Sequence, residues 1–113
     1  MLVVSPFSAY RLWTPTELTT QFWFDSTDVS TITMVDNNVE VWQDKSGNNR
    51  HISQPDSLLR PNYLANALNN KSVVSFTLND FLYLENIGNL FPSGFDIYVV
   101  MKPISGASVP YFS

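Results

Sequence analysis

The chain has 113 residues, room for at most one modest domain, and its 44% hydrophobic content suffices for a packed core and argues against disorder. Charged residues are sparse at 14%, and a net charge of −4 with six scattered Lys and Arg excludes a basic nucleic-acid surface. With no cysteine, disulfide frameworks, thiolate zinc sites and cysteine nucleophiles are excluded, and no apolar run has the length of a membrane span.

Residues 1–13 read as an extended arm, interrupted by Pro6, that docks against neighbours. Met1-Leu-Val-Val-Ser-Pro-Phe-Ser has no basic stretch and too short an apolar run for a signal peptide, so export by that route is not expected. Thr14-Pro15-Thr16-Glu17 has the form of a helix start, with Thr14 as N-cap, Pro15 in the first position and Glu17 reaching back. The helix is expected to be short, ending near Thr20. Gln21–Asp25 then reads as a strand with rings on both faces, hence buried on both sides.

Asp25-Ser-Thr-Asp28 is turn-like, and Val29–Val35 reads as short irregular structure. Asp36-Asn37-Asn38 is a turn leading into a Val39–Trp42 strand. The segment Trp42-Gln-Asp-Lys-Ser-Gly-Asn-Asn-Arg-His-Ile-Ser-Gln54 follows, dense in side chains that hydrogen-bond their own backbone. His51–Gln54 is extended, Pro55-Asp56-Ser57 breaks it, and Arg60–Tyr63 opens a linker in which Pro61 keeps Arg60 extended. Strands are expected at Lys71–Leu78, Phe81–Glu85 and, most clearly, Phe95–Lys102. In the last, Phe95, Ile97, Val99 and Met101 alternate with Asp96, Tyr98, Val100 and Lys102. Val109–Phe112 is a possible final strand. Short strands separated by turns, in a chain rich in aromatic and β-branched residues, point to an antiparallel sandwich.

The polar loop after Trp42 admits three kinds of chemistry. Asp44, Ser46 and Asn48 alternate like the first ligands of a calcium loop, but Gly47 is out of register and no Glu closes the loop, so turn formation is favoured over metal. Sugar recognition needs rings and amides, and Trp42, Tyr83, Asn48 and Asn49 are the candidates. Glycoside hydrolysis needs two carboxylates about 5–10 Å apart. Asp25, Asp28, Asp44 and Glu85 are available for it, but none sits in an identifying motif. His51 is the sole histidine, so a histidine-based triad or histidine metal cluster is not expected.

Several segments together resemble a known family. Phe22-Trp-Phe-Asp25-Ser-Thr-Asp28-Val-Ser-Thr-Ile-Thr33 is similar to the opening of a laminin-G-like, concanavalin A-like lectin/glucanase domain. Val41-Trp42-Gln-Asp44-Lys-Ser46-Gly47-Asn48 resembles that family's W-x-D-x-S-G-N turn. Arg60-Pro61, Asn69-Asn70-Lys71-Ser-Val-Val-Ser-Phe76 and Asp80-Phe81-Leu82 follow in order. The resemblance covers residues 12–102 and is of the variety found in bacteriophage tail and structural proteins and in bacterial surface proteins. Phe76-Thr77-Leu78 departs from the family's Phe-Asp-Gly, so that turn must be built differently.

The resemblance implies an all-β jelly-roll sandwich, partial in this chain, over residues 14–113, with one short N-terminal helix. It also implies adhesion or carbohydrate binding without catalysis, in a virion protein made in the host cytoplasm. Other virion subunits and a host glycan are the implied partners, with no nucleic acid, no membrane insertion and no required cofactor. The alternatives are a carbohydrate-binding module of a bacterial surface protein and a glycanase fragment.

Overall fold

Two two-residue turns organise the sheet. Val35 and Asn38 pair across Asp36 and Asn37, and Leu68 and Lys71 pair across Asn69 and Asn70. All four turn residues have positive φ, between 49° and 64°. Two consecutive left-handed residues twist a hairpin the way its strands already twist, and Asn and Asp enter that region at lower cost than other side chains. Each turn therefore fixes the register of its own hairpin.

The structure, a computed structural model, describes residues 15–85, 88 and 91–103. The expected arm at 1–13, the Thr14 cap and the possible strand at 109–112 lie outside these residues. Within them the strands are β1 (Ile32–Val35), β2 (Asn38–Trp42), β3 (Ile52–Ser53), β4 (Asn62–Leu68) and β5 (Lys71–Ser75). They form one antiparallel sheet in the order β1-β2-β4-β5. The far side of β2 is shared: Asn38 pairs with Asn62 of β4, while Val41 and Trp42 pair with Ser53 and Ile52 of β3. The described residues contain no α-helix, only single 3-10 turns at Pro15–Glu17, Val29–Thr31 and Ser57–Leu59. All-β character holds, with one sheet present.

Several expectations need correction. The Pro15 helix is a single 3-10 turn. Gln21–Asp25 is not a strand, because its backbone bonds to the loop after β2 and not to a neighbouring ladder: Trp23 N–H donates to Asp44 and Trp23 C=O accepts from Lys45 N–H. Its three rings are half-buried rather than enclosed on both sides. The end of Val29–Val35 is β1, and the supposed linker at 60–63 runs into β4, the longest strand. Lys71–Leu78 stops at Ser75. Beyond it, Thr77 N–H and hydroxyl both donate to Asp80 Oδ2 at 2.8 Å, a local bond that competes with the ladder. Phe81–Glu85 contributes only a bridge between Tyr83 and Ser53.

Phe95–Lys102 forms no strand. Alternation records how side chains would divide between two faces, but a strand also needs a neighbouring edge to pair with. No such neighbour meets it among the described residues, and Phe95, Ile97 and Val100 are 61%, 62% and 99% exposed.

The core of this sheet is small. Among the described residues Ile32 and Val39 are the buried hydrophobic side chains, with Pro61 enclosed beside them. A fully buried Val or Ile contributes roughly 1.5–3 kcal/mol, while ordering backbone costs about 1–2 kcal/mol per residue. One face of the sheet adds a row of rings. Trp42 packs on Phe24 (centroids 5.6 Å), Phe24 on Phe22 (6.3 Å), Phe22 on Phe91 (6.0 Å) and Phe91 on Phe95 (4.6 Å). These rings, with Leu64 and Val73, line an open trough of about 3150 Å³. Small-molecule clefts run to roughly 1,000 Å³ at most, so among the described residues this is an open sheet face rather than an enclosed cleft.

Candidate functional site

The polar loop between β2 and β3 is organised around one carboxylate. Asp44 is 8% exposed. Its Oδ1 accepts from Trp23 N–H at 2.8 Å and Ser46 N–H at 2.9 Å. Its Oδ2 accepts from the Ser46 hydroxyl at 2.7 Å and Arg50 N–H at 3.2 Å. Four donors match the roughly four lone-pair positions of a carboxylate. Burial pushes the Asp44 carboxyl up, but the Ser46 hydroxyl and the amides of Ser46, Trp23 and Arg50 outweigh it and hold the group below its ordinary value. Asp44 N–H donates to His51 Nδ1 at 3.0 Å, so that nitrogen is the acceptor of the ring and His51 closes the loop from its far end.

The same loop reaches across to residues 20–25. Asn48 donates its side-chain amide to Thr20 C=O at 2.9 Å and Gln21 C=O at 3.2 Å, and also to Ser46 Oγ. The Arg50 guanidinium donates to the Gln21 backbone carbonyl at 3.1 Å and to its side-chain oxygen at 2.6 Å, and stands 5.9 Å from the Phe22 ring centre. Lys45 lies 4.5 Å over the Trp23 ring and pairs with Asp25 at 3.1 Å and Asp28 at 3.0 Å. Burial lowers the Lys45 ammonium, but Asp28 and Asp25 more than compensate and raise it above its ordinary value. Asp25 is likewise raised by burial and lowered further by Thr27 and Lys45, to a net depression. Asp28 is depressed by the Ser30 hydroxyl and by Lys45.

The residues proposed from sequence are therefore placed as follows. Asp44, Ser46 and Asn48 do come together, as a hydrogen-bonded turn whose acceptors are occupied by the protein's own donors. A cation there would have to displace them, and no cluster of three or more His, Asp or Glu occurs among the described residues. Asn49 is exposed at the loop tip with φ of 56°. Trp42 lies on the trough face against Phe24. Tyr83 is on the other side: it pairs with Ser53, which pairs with Val41, whereas Trp42 pairs with Ile52. Directly paired residues share a face and neighbours along a strand alternate, so the four sugar candidates do not form one constellation.

The sequence reading passed over Lys45 and Arg50, whose charged side chains reach from the loop to Gln21, Asp25 and Asp28. A signal for them exists: two of the chain's six Lys and Arg lie within this one turn. Those partners are distant in the chain, which no local pattern reveals. Comparison with known protein families, with curated proteins and with solved structures finds no match to this chain.

Proposed function

We propose that this chain is a non-enzymatic structural and adhesion protein of a bacteriophage particle, belonging to the tail or receptor-binding apparatus. It is built on a concanavalin A-like jelly-roll sandwich and requires no cofactor. The observation that carries this reading is the inward use of the polar turn. Asp44, Ser46, Asn48 and Arg50 spend their hydrogen-bonding groups on fastening residues 20–25 to the sheet. A turn of the W-x-D-x-S-G-N kind thus serves the architecture that the family resemblance implies.

The carboxylates bear on the non-enzymatic part in one respect: a glycosidase's general acid needs a raised pKa, and Asp25, Asp28 and Asp44 are each depressed, which disfavours these three in that role. The sandwich is supported by the trough face, which is apolar and open and calls for a second layer. The arm at 1–13 docks the domain to neighbouring subunits. A host glycan would be met by exposed Asn49 rather than by Asn48, whose amide hydrogens are taken. Mass spectrometry of purified intact particles tests the assignment: the chain should be present at structural stoichiometry, and its absence from particles overturns it. Binding of the purified protein to host glycans should weaken on Asn49→Ala and survive Tyr83→Ala.

A further inference from the structure

Among the described residues, a segment with a two-residue period and no ladder lies beside an open sheet face. All of residues 95–102 border the trough whose floor includes Trp42, Leu64 and Val73, with Phe95, Ile97, Val99 and Met101 as one of the two alternating sets. Phe95 is already seated, stacked 4.6 Å from Phe91, which continues through Phe22 and Phe24 to Trp42. Beyond it the chain stands exposed, with Ile97 at 62%, Val99 at 51% and Met101 at 46%. We propose that residues 95–102 are a strap that closes over this face, zipping from Phe95 so that Ile97, Val99 and Met101 cover Trp42, Leu64 and Val73. The proposal deepens the sandwich part of the functional reading by naming the segment that begins the second layer. It does not depend on the particle or the glycan.

The dimensions fit. Eight extended residues span roughly 26 Å, against roughly 23 Å for seven-residue β4. Alternation puts Phe95, Ile97, Val99 and Met101 on one side, the side a trough can take, and both charged residues, Asp96 and Lys102, on the other with Tyr98 and Val100. Tethering favours the chain's own segment over a second copy, because closing a loop costs little more as it lengthens, whereas recruiting a second molecule costs translational and rotational freedom.

Hydrogen exchange on the full chain, under conditions where light scattering gives a monomer, tests this directly. In the wild type, amides 96–102 should exchange at least about tenfold slower than in a free peptide of that sequence. Ile97→Asp and Val99→Asp should each abolish the protection and increase binding of an apolar dye, while the Val39 and Lys45 amides keep theirs. Both side chains are more than half exposed in the open arrangement, so neither variant removes a core residue. Unprotected amides in the wild-type monomer overturn the strap. So does protection that survives both variants, and so does protection that appears only in a dimer, which would mean strand exchange between copies.

Discussion

At the scale of single residues, the loop after β2 behaves as a clasp whose strength depends on charge. Asp44 and Asp25 have folded-state pKa values below the ordinary 3.8. The native state therefore binds fewer protons than the unfolded state in the window just below that value. Their contribution is fully present above about pH 4 and is lost as pH falls through the depressed folded values. Lys45 has the opposite sign: raised above 10.5, it contributes stability that is present below that value and disappears as pH rises through its folded value. Urea midpoints measured across pH should accordingly fall at both extremes. Asp44→Asn should flatten the acid limb, and Lys45→Met the alkaline limb. Lys45 is a quarter exposed, so solvent screens its ion pairs, and the acid limb should be the steeper.

At the scale of elements, the hairpin turns make a separable prediction. Asp36 and Asn37 have φ of 51° and 64°. Asn37→Gly should preserve or slightly raise stability, while Asn37→Val should cost about 1–2 kcal/mol by chemical denaturation. Equal effects of the two substitutions would contradict the turn geometry. Such local rules are what the sequence made legible: the Asp36-Asn37 turn, the β2 strand and the onset of β5 all follow from residues adjacent in the chain. What stayed hidden was partnership. Gln21–Asp25 and Phe95–Lys102 both have strand-like side chains, yet one bonds to a loop and the other to no ladder, because pairing depends on distant backbone. β4 was concealed for the converse reason. Its Asn62-Tyr-Leu-Ala-Asn-Ala-Leu68 sequence is poor in β-branched residues, and Asn66 at φ of 54° sits where its register with β5 shifts. In the candidate site the turn itself was legible, since Asp, Ser, Gly and Asn signal their own local bonds. Its targets at Thr20, Gln21 and Trp23 were not.

At the scale of the whole molecule, the features divide into a fastened half and an open half. The clasp joins residues 20–25 to β2 and β3, and the bonds of buried Gln54 to Phe81 C=O and of Arg60 to Glu40 draw the following loops onto the same sheet. Among the described residues the trough face is open. On this account the polar turn stabilises an architecture and holds no ligand, and amide exchange at Lys45 in Asp44→Ala is the most direct test. Lys45 N–H donates to Trp23 C=O at 2.7 Å and makes no bond to Asp44 itself, so it reports whether the clasp survives. Loss of a buried charged acceptor should cost about 2 kcal/mol and speed exchange there about thirtyfold, with Val39 N–H, bonded to Pro61 C=O, unchanged. Wild-type protection at Lys45 in that variant, accompanied by loss of glycan or calcium binding, would contradict the account and return the loop to the role of a ligand site.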